Sequence, residues 1–282
     1  MKADGSDVHP VRVDETGALC GQPGTRYQAV SASLPQPVAS FEVPPQLPPG
    51  AIVVATNGGS DYFYVPDHDP AVVARLVRFL QGREEYGAVF VDSRHGALPG
   101  TLPMSLVRLE NTVRRDHGQP DVVAGFSWDA TQRINGLPGT EFSSISECRG
   151  MHGSFSPFDV HNTLVAFGPA FRTGVVVDTP TGNVDVAPTV ARLLGLSMPQ
   201  ADGRVLAEAL AGGGSRPRAV TRTLVPGQPA TGLRFALPTD PTGATIDHAL
   251  GEGTYTIELQ VKDLTVDGRT YRYFDQAGAV RR

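Results

Sequence analysis

Five short runs place an imidazole beside groups that work with it: Asp67-His68-Asp69, Asp92-Ser93-Arg94-His95-Gly96, Asp116-His117-Gly118, Gly150-Met151-His152-Gly153-Ser154 and Asp159-Val160-His161. Neutral imidazole nitrogens and carboxylate oxygens are the donors that zinc and its neighbours take. Glycines on both sides of His152 free the backbone to carry its ring into a crowded site. His95 and Asp92 leave the apolar run Gly87-Ala88-Val89-Phe90-Val91, so they stand where a buried strand meets a polar loop. Three of the runs have simpler accounts. Asp69 followed by Pro70 is a helix start, with Asp69 as N-cap and Pro70 in the first turn, and that start explains Asp67 and His68. Asp116-His117-Gly118 follows Asn-Thr-Val-Arg-Arg and reads as a helix end, with the histidine near the negative pole and glycine as stop. His161 is either a supporting partner of a ligand or the entry residue of the next strand. Asp7-Val8-His9 has neither the spacing nor a preceding strand.

These residues must be positioned by short elements, because 32 Gly and 24 Pro interrupt the chain. Residues 1–50 form an extended Pro/Gly-rich lead-in, and the prolines between 35 and 49 forbid a helix there. Ala51–Ala55 and Asp61–Val65 flank Asn57-Gly58-Gly59-Ser60 and read as a β-hairpin. Val72, Val73, Leu76, Val77 and Leu80 fall on one face of a helix that ends near Gly82. Strands follow at Gly87–Val91 and Asp121–Phe126, with a short helix through Leu106 and Leu109 between them. Residues 127–157 read as a long polar loop, and a loop of that length is usually functional. Asn162–Phe167 reads as a strand packed centrally. The 184–194 helix has Asn183 as cap and Gly195 as stop. After the Gly/Ser-rich break at 212–218, Tyr255–Val261 alternates as a strand and Val266–Phe274 supplies a turn and its partner.

The order His152-Gly153, then Asn162-Thr163-Leu164-Val165-Ala166-Phe167-Gly168-Pro169, then Asn183–Leu196, resembles the C-terminal half of the alkaline phosphatase superfamily, in its type I phosphodiesterase/nucleotide pyrophosphatase branch. The resemblance covers about residues 50–200, with a family-like tail at 272–278. It implies an α/β fold with a central, mostly parallel sheet flanked by helices: the N-terminally incomplete catalytic domain over 51–210, and a small β-rich segment over 219–282. It implies a metal-dependent hydrolase of phosphoric esters, holding two zinc ions in the intact family. His152, Asp92 and His95 are the metal ligands it implies here, and His161 a supporting residue. No catalytic nucleophile is identified, so the zinc site is at most partial and an N-terminal half is the missing partner. A binding or structural module derived from the fold is the alternative, as is a phosphomutase or sulfatase relative. His152 is expected on a solvent-accessible loop at one end of the sheet.

Composition narrows the classes further. Hydrophobic residues make up 40% and charged residues 19%, with net charge −5. That is a globular composition with no basic footprint for a nucleic-acid backbone. No apolar run is long enough for a membrane helix, and the first residues carry no signal-peptide pattern. Intact family members are often exported, so location stays open. Cys20 and Cys148 form no metal-binding pair; they are free thiols or a single disulfide.

Overall fold

The computed structural model describes residues 46–110, 118–134, 137–142, 152–214, 217–235 and 252–282. The lead-in up to residue 45, Asp116, His117 and both cysteines lie outside them. The chain divides into two compact units. The first collects the residues up to Asp159 with Pro226–Ile257 and Gly278–Arg282; the second holds Val160–Val225 and Glu258–Ala277.

In the first unit β1 (Val53–Thr56) and β2 (Ser60–Tyr64) form the expected hairpin. Its turn is closed by the Asn57 amide on the Ser60 carbonyl at 2.8 Å, with Gly58 at φ +74°. Helix α1 (Pro70–Gly82) starts as the sequence indicates: an Asp69 carboxylate oxygen accepts the Ala71 amide at 2.8 Å. Its apolar stripe of Val72, Val73, Leu76, Val77 and Leu80 is buried. Each such side chain contributes about 1.5–3 kcal/mol of transfer free energy. β3 (Tyr86–Val91) and β5 (Val122–Phe126) are buried along their whole length, and β4 (Leu102–Pro103) is a two-residue edge.

The strand order is β1-β2-β5-β3-β4, and it corrects the mostly parallel, helix-flanked sheet. β2, α1 and β3 do form a crossover with β2 and β3 running the same way. The later strand β5 then inserts between them, antiparallel to both. Among the described residues only β3 and β4 pair in parallel. Alternating strands and helices in sequence reveal the crossover but not which strand fills the gap it leaves.

Residues 127–157 are not one long loop. β6 (Trp128–Ile134) and β7 (Leu137–Glu141) form an antiparallel ribbon. A two-stranded ribbon needs no continuous apolar face, so it leaves little periodic signal. Helix α2 (Pro157–Val160) is a single turn. The helix expected through Leu106 and Leu109 is a 3-10 turn, Met104–Val107, stopped by Arg108 at φ +60°.

The second unit departs most from expectation. Asn162–Phe167 is not a strand and is not central; it has no regular secondary structure and is exposed. The apolar run was right for a buried strand, but the described residues provide no neighbouring strand. The helix beyond it begins as a 3-10 turn, Asn183–Asp185, and continues as α3 (Val186–Leu193). Asp185 rather than Asn183 does the capping: its carboxylate accepts the Gly182 amide at 2.9 Å and the Arg204 amide at 2.8 Å. Arg204 also reaches Glu208 through two hydrogen bonds of 2.7 and 2.9 Å, so a buried cation is paired rather than stranded. β8 (Ala219–Leu224) pairs with Leu259–Leu264. Those residues belong to the long strand β10 (Glu252–Val266), whose beginning pairs in the first unit with β9 (Ala230–Arg234). β11 (Arg269–Arg281) lies beside β10 after the expected turn, with Asp267 and Gly268 at φ +49° and +80°.

In the first unit's core Asp61 accepts the Tyr86 hydroxyl at 2.7 Å, while its other carboxylate oxygen has no hydrogen-bond partner among the described residues. Burial raises the Asp61 carboxyl above its ordinary value, against the opposing Tyr86 hydrogen bond. The folded state therefore favours the protonated form. The stability Asp61 contributes is complete below the unfolded carboxylate range and is lost as pH rises through the folded value. Asp61→Asn keeps the acceptor and removes the buried charge. It should match the wild type in urea denaturation at low pH and exceed it by about 1–2 kcal/mol above neutrality. A difference that does not change with pH would show that the charge is not the source.

Candidate metal centre

Three side chains meet where β2 and β3 end and β5 begins. His68 Nδ1 and His95 Nε2 each lie 2.7 Å from the same carboxylate oxygen of Asp121, Oδ1. The three donor atoms fall within 4.8 Å of one another. The histidine rings stand 6.4 Å apart between centroids. Asp121 and His95 have side chains only 1% and 3% exposed, whereas His68 is 46% exposed. The cluster is thus closed on the protein side and open towards solvent at His68.

Each donor is held by its own local structure. Asp121 opens β5. Its amide donates to the Phe63 carbonyl at 2.9 Å and its carbonyl accepts the Asp92 amide at 3.0 Å. Its second carboxylate oxygen, Oδ2, accepts the Val65 amide at 2.7 Å. His95 closes the 3-10 turn Ser93–His95, with its amide on the Asp92 carbonyl at 3.1 Å. Gly96 follows at φ +69°, a conformation glycine adopts without steric cost. His68 sits in the turn between β2 and α1, its amide on the Val65 carbonyl at 2.8 Å. Its φ of +50° is costly for a residue with a Cβ, typically about 1 kcal/mol or more. That conformation turns the imidazole towards Asp121 instead of leaving it free in the loop.

With protons on the facing nitrogens, the arrangement is a hydrogen-bonded His–Asp–His group. Without them, the same atoms are three convergent lone-pair donors. A tetrahedral ion with ligands at about 2.0–2.1 Å holds its donors roughly 3.3 Å apart. The 2.7 Å pairs need to open by only about half an ångström, and the exposed His68 can supply that movement.

The residues expected as a metal set are not brought together. His95 is in the cluster. Asp92 is buried beside it in sequence, but its carboxylate accepts the Arg94 amide at 2.8 Å and faces the Arg94 Nε at 3.3 Å, capping the 3-10 turn. His152 is exposed, as expected of a loop at one end of the sheet. Its carbonyl accepts the Gly59 amide at 2.9 Å, which puts it at the hairpin-turn end of β2. His68 and His95 are at the other end, separated by the five residues of β2, about 15 Å of strand. A zinc pair held jointly by His152, Asp92 and His95 does not fit this arrangement. His161 lies in the second unit and pairs with Asp275 at 2.8 Å, an oxygen it shares with Lys262 at 2.6 Å.

His68 and Asp121 escape a reading of the sequence for physical reasons. The helix start accounts for Asp67-His68-Asp69 without a site. Asp121 looks like the polar residue that precedes any buried strand. The only signal available was that two histidines and an aspartate each border a strand end.

No family model, curated protein or solved structure matches this chain.

Asp121 accepts from three donors while buried, so its removal leaves the Val65 amide and the His95 ring without their acceptor. Asp121→Ala should cost about 3 kcal/mol in chemical denaturation. His68→Ala should cost less than about 1 kcal/mol, because its ring is half in water. Equal costs for the two would contradict the burial asymmetry.

Proposed function

We propose that this chain binds one divalent transition-metal ion at His68, His95 and Asp121. The convergence of two imidazole nitrogens on one buried carboxylate oxygen carries this reading. Two nitrogens and one oxygen suit zinc, cobalt or nickel better than magnesium or calcium, which prefer all-oxygen shells. Three protein ligands leave a position open, as in catalytic rather than closed structural sites.

A bound ion would supply Lewis-acid polarisation of an oxygen ligand in that open position. The chain's own residues hold and aim the donors. The Val65 amide fixes one oxygen of Asp121 so that the other faces the histidines, and the 3-10 turn fixes His95. The reaction class we assign to the lineage, phosphoric ester hydrolysis, rests on the stretch from Gly150 to Leu196. It requires, besides this centre, a nucleophile and a second metal position. Among the described residues no helix is long and apolar enough to cross a membrane.

Titration with Co²⁺, followed by its visible absorption and by calorimetry, should give one equivalent bound. His95→Ala should weaken binding at least about a hundredfold, beyond the loss typical of an outer partner. His152→Ala should leave it unchanged. Equal affinity in wild type and His95→Ala would sink the centre. The chain with added metal should hydrolyse p-nitrophenyl phosphate no faster than a blank, since a site that acts as a unit loses nearly all its rate when most of it is missing. Turnover that disappears in His95→Ala would mean the chain is catalytically complete.

A further inference from the structure

In the second unit two arginines converge on one carboxylate. Asp263 lies on β10, with β8 on one side and β11 on the other. Arg222 reaches it from β8, with Nε 3.0 Å from Asp263 Oδ2. Arg272 reaches it from β11 with both arms of its fork, Nε on Oδ1 at 2.8 Å and Nη2 on Oδ2 at 3.0 Å. The Asp263 side chain is 9% exposed, whereas those of Arg222 and Arg272 are 59% and 40% exposed. The carboxylate is thus a buried anchor beneath two guanidiniums that meet water.

Arg272 alone matches the two oxygens of the carboxylate. Arg222 adds a second cation to an oxygen that is already taken, so two guanidiniums against one carboxylate leave one positive charge over. Each guanidinium has five N–H donors, and Asp263 occupies at most one of Arg222 and two of Arg272. Arg222 Nε and Arg272 Nη2 each lie 3.0 Å from Oδ2, which puts them at most about 6 Å apart. Alternate residues of a strand share a face, so Thr265 stands beside Asp263 and Thr270 beside Arg272. Their hydroxyls meet at 3.1 Å. Val220, which pairs with Asp263 across the β8–β10 ladder, is exposed on the same face.

We infer that Arg222 and Arg272, positioned by Asp263, form a binding site for a phosphate group, with the Thr265 and Thr270 hydroxyls as further donors. Charge-assisted bonds of about 2.7–2.9 Å from one oxyanion reach nitrogens at this spacing. A tetrahedral group offers a separate edge to each fork, whereas a carboxylate has only one. Its negative charge meets the cation that Asp263 leaves uncompensated. The Arg272 hydrogen bonds hold the Asp263 carboxyl below its ordinary value, against the desolvation that burial brings, and the charges of Arg272 and Arg222 add to them. Asp263 therefore stays ionised near neutrality and keeps both forks in place. The site lies wholly in the second unit and is independent of the metal centre.

Calorimetric titration of the full chain with inorganic phosphate, in a chelator and at constant ionic strength, should give one equivalent bound with a dissociation constant of about 1 mM or tighter. The chelator keeps phosphate held through a metal ion out of the signal. Arg222→Ala should weaken binding at least about tenfold, and Arg222→Lys, which keeps the charge and loses the fork, by less. Val220→Asp adds a carboxylate opposite Asp263, cancels the surplus charge and should abolish binding. Arg75→Ala, at an exposed position on α1, should leave it unchanged. Arg222 and Val220 are both exposed, so a thermal melt equal to wild type separates lost binding from lost folding. Phenyl phosphate in place of the free ion identifies the source: equal affinity assigns the site to a phosphate monoester, and a loss of affinity assigns it to inorganic phosphate. No saturable binding up to about 20 mM phosphate, equal affinity in wild type and Val220→Asp, or an equal loss in Arg75→Ala would overturn the site.

Discussion

The first unit depends on one buried carboxylate. Asp121 joins the ends of β2 and β3 to the start of β5 through its amide, its carbonyl and Oδ2. A bare aspartate in that position would be expensive, since an ionised group out of water needs partners. The structure meets the demand with the Val65 amide on one oxygen and two imidazoles on the other. The group that holds the sheet ends together is therefore the group that gathers the two histidines. Structural and chemical roles are not separable at this residue, and any reading of its substitutions has to carry both.

Much of the local structure could be read from sequence, because it follows from local rules. The Asn57-Gly58-Gly59 turn, the Asp69 cap and the apolar stripe of α1 each involve residues a few positions apart. The Asp267-Gly268 turn is legible in the same way. The insertion of β5 between β2 and β3 was not, since nothing near Val122 states which strands it will join. The site inherited that blindness. His95 stood out because it leaves a strand, but its partners are 27 and 26 positions away in sequence and are adjacent only through the strand order. Asp92, closer in sequence and equally acidic, is turned to Arg94 instead.

The residues that carry the resemblance around His152 and the three donors gathered at Asp121 lie at opposite ends of β2. The first belongs to a residue pattern and the second to an arrangement of atoms. They share only His95, and even there the partners differ. In the second unit an apolar run with the composition of an interior strand stands uncovered. Sequence pattern records what a segment is suited to, whereas coordinates record what the available chain can give it.

The late arrival of β5 has a consequence for how the molecule forms. β2 and β3 have no direct ladder between them; they pair only through β5. A nascent chain can fold the β1–β2 hairpin and α1 early, because those contacts are local. The sheet cannot close until residues up to 126 have emerged and the loop before them has been drawn in, an entropic cost that precedes any reward. Asp121 enters at that same step. The two histidines therefore wait apart on preformed segments, and closure of the sheet and assembly of the His–Asp–His group become one kinetic event.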